Sequence, residues 1–251
     1  SGGGEHVDTG LKGKTALITG ASRNMGRVAA LAFAREGANL AICTSTRMKE
    51  LGEVAEAARA LGVGVVAEKC DVTDGAAVVA FVRKTRDKLG GVDVAVNIAG
   101  YRNEAKFLEG SFEEWTRNIE VNLNGPFNVC RNVIPLMIER RWGRIINLSG
   151  VAPYLGGGAA KAMVKLGIVG FTRGLAREFA GHNITANCIG PGNIERERAA
   201  HEPERSINPV QPIRRKGRPE EVTGLMLHLA SENASFITGQ CYLVNGGAYF
   251  S

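Results

Sequence analysis

The sequence has no run that approaches the roughly 18 consecutive apolar residues of a membrane-spanning helix. Its five cysteines form no CxxC pair, and no group of histidines and cysteines has the spacing of metal ligands. These absences argue against a membrane protein, a disulfide-stabilised secreted domain and a zinc module. We therefore predict a reduced, cytoplasmic setting with no membrane partner and no metal.

Acidic residues are fewer than basic ones, 25 against 31, which gives a net charge of +6. The lysines and arginines are spread along the chain and form no basic block, so the charge does not favour nucleic acid as a partner. Binding to nucleic acid would also require an affinity that falls steeply with salt. We predict a small anionic ligand and no nucleic-acid partner.

Short apolar runs rich in β-branched residues alternate with longer helical segments along residues 11–251. This alternation predicts an α/β fold, a single domain with a doubly wound parallel sheet covered by helices on both faces. The Gly-rich residues 1–10 are predicted to be a flexible tail or an expression remnant. The charged, proline-punctuated residues 193–221 are predicted to be a mobile substrate loop, with a solvated insertion as the alternative.

A glycine-spaced turn, TGASRNMGRVAA, lies between the first predicted strand and the first predicted helix. Gly20 permits a tight turn, and Gly26 lets the helix pack closely. The N-terminal N–H groups of this helix can then face an anion. The position of the turn near the start of the chain predicts a phosphate-binding site.

Six further motifs follow in order: CDVTD, VNIAG, VNLNG, IINLS, IGPGNIE and ITGQCYLVNGG. Together with the turn they resemble the short-chain dehydrogenase/reductases, from Leu11 onward. The resemblance implies a Rossmann fold and an oxidoreductase that interconverts an alcohol and a ketone with a nicotinamide dinucleotide. It also implies a homo-oligomer, a tetramer, with a small-molecule carbonyl or alcohol substrate.

The resemblance also implies which residues hold the cofactor. One pair contacts the adenine, a second group flanks the ribose and phosphates, and a third holds the nicotinamide. With the turn and the end of the second strand, the predicted cofactor residues are Gly20, Ser22, Arg23, Met25, Gly26, Arg47, Asp71, Val72, Asn97, Ala99, Gly100, Lys165, Pro191, Gly192 and Ile194. Asn24 stands where the family usually has a middle glycine, and Asn tolerates a positive φ better than most residues.

The end of the second strand indicates which dinucleotide is bound. A site for NAD(H) needs a carboxylate there to accept from the ribose 2′-OH, and CTSTRMKE has no early acid. Arg23 and Arg47, with nearby hydroxyls, offer positive charge and donors for a 2′-phosphate. We therefore predict that NADP(H) is favoured over NAD(H).

The family's chemistry uses an Asn, a Ser, a Tyr and a Lys four residues after the Tyr. Asn122 matches the Asn, and Lys165 matches the Lys because KLGIVGFTR keeps the family spacing without a gap as far as Pro191. The Tyr position is then Lys161. The Ser position falls on Gly150, with Ser149 one residue early, and Arg196 replaces a customary Thr.

Three interpretations of this altered centre remain open. Lys161, crowded by Lys165, could have a lowered pKa and shuttle the proton; a solvent-facing helix residue is the alternative. Tyr154 in the shortened preceding loop could supply a phenol, although a packed aromatic is the simpler interpretation. Hydride transfer could instead have been lost, which leaves a protein that binds a dinucleotide for a non-redox or regulatory role. His228, in an apolar helical run, is predicted to lie in the core.

Overall fold

The structure is a computed structural model that describes residues 8–102, 105–197, 206–207 and 209–250. Residues 1–7 of the predicted tail, and residues 198–205 and 208 of the predicted substrate loop, lie outside this range. The rest of the tail is hydrogen-bonded to the domain, since Thr9 donates to Glu36 and the Asp8 carbonyl accepts from Asn233. At the other end of the predicted loop, residues 219–221 begin a helix.

The described residues form one seven-stranded parallel sheet in the order β3-β2-β1-β4-β5-β6-β7. The strands are β1 (Thr15–Thr19), β2 (Asn39–Thr44), β3 (Val65–Lys69), β4 (Val94–Asn97), β5 (Gly143–Leu148), β6 (Ile184–Pro191) and β7 (Cys241–Val244). The helices are α1 (Asn24–Arg35), α2 (Met48–Arg59), α3 (Gly75–Leu89), α4 (Phe112–Ile119), α5 (Gly125–Arg140), α6 (Ala159–Phe179) and α7 (Pro219–Ala230). The predicted doubly wound fold is confirmed.

Two layers of helices cover the sheet. On one face the core cluster includes Phe33 of α1, Leu51 of α2 and Met226 of α7. On the other face it includes Phe81 of α3 and Val133 of α5. Because helices cover both faces, β1 is buried along its whole length, as expected for a central parallel strand.

Local signals fix several helix ends. The Asp74 carboxylate accepts from the N–H groups of Ala76 and Ala77 and starts α3, and Gly90 ends this helix in the left-handed conformation. Ser111 and Glu114 form a reciprocal capping box at the start of α4. Between α4 and α5 the chain forms a π-helical turn, Glu120–Asn124, which the apolar spacing did not predict.

The predicted position of His228 was wrong, because its side chain is exposed on α7. This helix buries Val222, Met226 and Leu229, which are spaced four and three residues apart and form its core-facing stripe. His228 lies off that stripe. Within the described residues, no helix combines the length and apolar character needed to cross a bilayer.

Candidate active site

The candidate site lies at the carboxyl ends of the strands, around the boundary between β1 and β4. β2 and β3 lie on one side of β1 in the sheet, and β4 to β7 lie on the other side. In open α/β sheets, ligands bind in the crevice at such a switch point. The turn after β1, CDVTD after β3 and the last residues of VNIAG after β4 follow the carboxyl ends of their strands and border this edge.

The turn between β1 and α1 has the geometry of an anion site. Gly20 has φ +67°, and a Cβ on Gly26 would lie 2.1 Å from the Gly20 carbonyl oxygen, so both positions need glycine. The Arg23 side chain makes no capping hydrogen bond to α1, and the first turn of this helix has no acidic residue. The helix N–H groups therefore remain available to a phosphate, and this part of the chain fits a dinucleotide.

Asn24, which stands where the family usually has a glycine, has a positive φ of +49°. Its side-chain Oδ1 also accepts a hydrogen bond from the Glu197 N–H at 2.7 Å. Asn24 thus links the turn after β1 to Glu197 in the segment that follows β6, a contact that glycine could not make.

The end of β2 lies beside this turn. The hydroxyls of Ser22 and Thr44 are 3.3 Å apart and buried. Arg23 and Arg47 are both exposed, and Arg47 donates to Glu50 at 3.0 Å across one turn of α2. An exposed ion pair of this kind contributes little stability, so it leaves Arg47 able to exchange Glu50 for a phosphate.

The ends of β3 and β4 supply the next predicted residues. Burial, which raises the pKa of Asp71, is outweighed by hydrogen bonds from the Thr73 N–H and hydroxyl and by the charge of Arg117, and the pKa falls below its usual range. Asp71 is therefore ionised, and Val72 beside it is buried. The Ala99 N–H donates to the Thr19 hydroxyl at 3.1 Å, which fixes the loop after β4 against β1.

Asn97 and Met25 border the same region from the sheet and from α1. Asn97 is buried and donates to the Asn147 Oδ1 at 2.8 Å, while its own Oδ1 has no hydrogen-bond partner in the structure. Met25 packs against the core from the first turn of α1. Gly100 lies close to the π-helical turn, because a Cβ there would be 3.3 Å from the Asn122 Oδ1.

The π-helical turn brings Asn122 to Lys165. The Lys165 Nζ donates to the Asn122 Oδ1 at 3.3 Å and to the Leu148 carbonyl at 3.2 Å. The Asn122 Nδ2 donates to the carbonyls of Tyr101 and Asn118. These bonds fix the amide orientation, with its oxygen toward the lysine. A π-helical insertion of this kind is frequent at functional sites.

Both lysines of α6 have lowered pKa values. Burial, together with the charges of Lys161 and Arg102, lowers the pKa of Lys165 to about 8, although Cys188 acts in the opposite direction. Burial and then Arg102 lower the pKa of Lys161. The direction agrees with the sequence-based expectation for Lys161, but the cause differs, because Arg102 from the loop after β4 replaces Lys165 as the charge that acts on it.

The lowered pKa of Lys165 predicts that the stability of the protein depends on pH. Between pH about 8 and about 10.4, Lys165 is neutral in the native protein and still protonated in the unfolded chain. The unfolded state then binds more protons, so this group makes the free energy of unfolding rise with pH across that window. Urea unfolding at pH 8 and pH 10 measures the effect in wild type and in Lys165→Met. We expect the difference in unfolding free energy between the two proteins to change with pH; a difference that stays constant contradicts the assignment.

Ser149 lies beside Lys165, but its hydroxyl is occupied. The Ser149 Oγ donates to the Lys165 backbone carbonyl at 2.6 Å, and the Ser149 N–H donates to the Ile189 carbonyl. At Gly150, where the family has its serine, an added Cβ would meet only the Pro191 carbonyl oxygen, at 3.9 Å. This position therefore has room for a side chain that the sequence does not supply.

Tyr154 lies on the β7 side of the site. Its hydroxyl is 3.6 Å from the Cys241 Sγ, and its ring stacks on Tyr249 with centroids 5.1 Å apart. Burial and the neighbouring Cys241 thiol raise its pKa to about 12. The phenol is thus a weaker acid than an ordinary tyrosine, opposite to what a proton donor needs.

The segment after β6 completes the site. The Gly192 N–H donates to the Val244 carbonyl at 2.9 Å, and a Cβ on Gly192 would lie 2.8 Å from the Asn245 Cα. Ile194 forms an isolated bridge with Gly217. These contacts hold Pro191 and its neighbours at the carboxyl end of the sheet, beside the loop that follows β5.

Sequence reasoning missed Arg102, which acts on both lysines, and the pairing of Cys188 with Cys241 across β6 and β7. Arg102, in the loop after β4, gave no spacing signal. The pairing of Cys188 with Cys241 could have been found by aligning the sequences of β6 and β7 as neighbouring parallel strands. Within the described range, no group of three or more His, Cys, Asp and Glu side chains could hold a metal ion.

The sheet order defines a doubly wound α/β protein, and the turn at its first crossover has the geometry of an anion site. A family model described as "Enoyl-(Acyl carrier protein) reductase" matches residues 20–249. The chain is 38% identical to a 3-oxoacyl-[acyl-carrier-protein] reductase of Thermotoga maritima, over 94% of this chain and 98% of the relative. The corresponding protein of Escherichia coli K12 is 37% identical over 95% and 98%.

Solved structures of related proteins have a similar fold. A 3-oxoacyl-[acyl-carrier protein] reductase from Brucella melitensis is 35% identical with a TM-score of 0.85, covering 96% of this chain and 93% of that one. A short-chain type dehydrogenase/reductase from Mycobacterium marinum is 31% identical with a TM-score of 0.86, covering 96% and 97%. The chain belongs to the short-chain dehydrogenase/reductase family, a family of oxidoreductases.

Proposed function

We propose that this protein is an NADP(H)-dependent oxidoreductase that interconverts an alcohol and a ketone, with Lys161 as its proton donor. The observation that carries the proposal is the position of Lys161, partly buried one helical turn before Lys165, with a lowered pKa. The relatives named as reductases of 3-oxoacyl groups support a ketone as the group reduced.

The roles divide among a few side chains. A bound nicotinamide supplies or accepts the hydride. The Lys161 ammonium donates a proton to the carbonyl oxygen during reduction, and the amine accepts it during oxidation. Because burial and Arg102 bring its pKa closer to neutral pH, Lys161 transfers a proton more readily than an ordinary lysine. Lys165, oriented by Asn122, holds the cofactor ribose.

Two observations favour a second candidate, a protein that binds a dinucleotide for a non-redox or regulatory role. The Ser149 hydroxyl is bonded to a backbone carbonyl, and Gly150 leaves the serine position without a hydroxyl. The substrate oxygen would then have fewer donors than in the usual centre. Cofactor binding without turnover distinguishes this candidate from the reductase.

The reductase is tested by NADPH oxidation over a panel of ketones, including 3-oxoacyl thioesters, with wild type, Lys161→Met and Lys161→Tyr. We expect wild-type turnover, a loss of about a hundredfold or more in Lys161→Met, and retained or raised turnover in Lys161→Tyr. The variant Gly150→Ser, for which there is space, should raise turnover further. Binding of NADPH with no oxidation by any of these proteins would favour the regulatory role.

The preference for NADP(H) rests on Arg23 and Arg47. Charge-assisted hydrogen bonds to a phosphate are worth roughly 1.5–3 kcal/mol. We expect Arg23→Met or Arg47→Met to weaken NADPH binding about tenfold and to leave NADH binding nearly unchanged. Fluorescence titration of both cofactors measures this, with Arg59→Met, exposed at the far end of α2, as the matched control. Equal losses for both cofactors would contradict the 2′-phosphate role.

We also infer a homo-oligomer, a tetramer, in which copies of this chain pack through α5 and α6. Phe127, Met163 and Leu166 are exposed large apolar side chains on these helices, and Gly170 has open space beside it. A second copy would cover them. Light scattering should give the mass of a tetramer for wild type and a smaller mass for Leu166→Asp; a monomeric wild type would refute the inference.

A further inference from the structure

Cys188 and Cys241 lie directly opposite each other on β6 and β7. Neighbouring strands are about 4.8 Å apart, within the roughly 4.4–6.8 Å between Cα atoms that a disulfide spans. Each thiol shifts the pKa of the other. Both belong to one small apolar cluster under α6 with Ile168 and Val169.

The two thiols differ in environment. Cys188 is fully buried, and its hydrogen bond to Cys241 together with burial raises its pKa. Cys241 is only partly buried and lines a cavity of about 540 Å³. Hydrogen bonds from Cys188 and the Tyr154 hydroxyl, with the charge of Arg173, lower its pKa to about 7 despite burial. Near neutral pH about half of Cys241 is therefore thiolate, and the adjacent Cys188 thiol is protonated.

The pair also adjoins the candidate active site. Cys188 is close enough to Lys165 to affect the pKa of that lysine, and the Cys241 thiol is the hydrogen-bond partner of Tyr154. Neither cysteine has a role in the proposed hydride transfer. Reactive cysteines that sense oxidants combine thiolate character, access to solvent and an adjacent second thiol. Cys241 and Cys188 meet these three conditions.

We propose that Cys241 and Cys188 form a reversible oxidation site that reacts with a peroxide and closes to a disulfide. The Cys241 thiolate attacks a peroxide oxygen, the O–O bond breaks, and a sulfenic acid and hydroxide form; the hydroxide takes up a proton and becomes water. Cys188 then gives up its proton and attacks the Cys241 sulfur, the S–O bond breaks, and a second water leaves. Two thiols are oxidised by two electrons, and hydrogen peroxide is reduced to two waters. A dithiol reductant reverses the bond.

The disulfide would change the neighbouring site in two ways. It removes the thiolate that accepts from the Tyr154 hydroxyl, and it removes the ionisable group of Cys188 beside Lys165. It would also join β6 to β7 immediately before the residues that lead to Pro191. The proposal does not depend on the reductase activity, since its readout is the covalent state of two named sulfurs.

Peptide mapping by mass spectrometry, after treatment with hydrogen peroxide and alkylation of the remaining thiols, tests the proposal in the wild-type chain. We expect a peptide pair linked through Cys188 and Cys241 that disappears after a dithiol reductant. At pH 7, Cys241 should alkylate at least about tenfold faster than Cys130, whose burial raises its pKa to about 12. No linked pair, or equal alkylation rates, would overturn the proposal.

Two variants separate the steps. Cys188→Ala should stop at a sulfenic acid on Cys241, which a dimedone probe captures, and Cys241→Ala should form neither product. Cys130→Ala, which removes another buried thiol, should still form the disulfide and serves as the matched control. Since Cys43 and Cys70 also hydrogen-bond to each other, the mapping must distinguish a link between those two, which would count against the assigned site.

Discussion

Replacing Lys165 with methionine is expected to lower carbonyl-reductase turnover by roughly two to four orders of magnitude. Lys165 is the cation that the π-helical turn orients, through the 3.3 Å contact with the Asn122 Oδ1. Methionine keeps a straight chain of similar helix propensity, so α6 should persist. The variant therefore removes the positive charge and its donors from the site and changes little else.

The measurement is steady-state NADPH oxidation together with the NADPH dissociation constant. Because Lys165 is proposed both to hold the ribose and to act beside the proton donor, Lys165→Met should weaken binding and also lower kcat. Lys161→Met should lower kcat with little change in NADPH binding, since Lys161 is assigned to the substrate side. Lys88→Met, at an exposed position in the last turn of α3, serves as the control. A Lys165→Met protein with wild-type kcat would remove the basis of the site assignment.

The fold and much of the cofactor region followed from local sequence. Apolar β-branched runs and glycine positions depend on neighbours within a few residues, and the strands, the turn at Gly20 and the positive φ of Asn24 were all predictable. Register with the family pattern selected Lys165 over Lys161 as the ribose lysine, and the structure brings the Lys165 Nζ to the Asn122 Oδ1.

The rest of the site depends on contacts between distant segments. The pKa of Lys161 is lowered by Arg102, which lies 59 residues earlier in the chain and reaches α6 only through the fold. The Ser149 hydroxyl turns to a backbone carbonyl of α6, and Cys188 meets Cys241 only because β6 and β7 pair. His228 was assigned to the wrong face of α7, because an apolar run predicts a helix more reliably than it predicts which residues face the core.

Replacing Arg144 with alanine is expected to lower the free energy of unfolding by roughly 3–5 kcal/mol. Arg144 is the second residue of β5, at the end of the sheet opposite the candidate site, and is fully buried. Its guanidinium donates to the carbonyls of Gly143, Asn183 and Ser231, and it lies 4.3 Å from the centre of the Trp142 ring. Alanine would remove the guanidinium donor from these carbonyls, of which Asn183 keeps the Gly143 N–H, and would open a cavity beside the tryptophan.

Urea unfolding of Arg144→Ala, Arg144→Met and Arg86→Ala separates the contributions of packing and of hydrogen bonds to the unfolding free energy. The methionine of Arg144→Met fills most of the volume of the arginine. The difference in unfolding free energy between Arg144→Ala and Arg144→Met therefore measures the cavity. The loss in Arg144→Met relative to wild type measures the missing hydrogen bonds. Glu232, the ionic partner at 3.4 Å, is half exposed and stays hydrated when Arg144 is removed, so the loss should come from the carbonyls and the packing. Arg86→Ala removes an exposed ion pair and should change stability by less than about 0.5 kcal/mol. If Arg144→Ala were as stable as Arg86→Ala, the buried guanidinium would contribute no net stability.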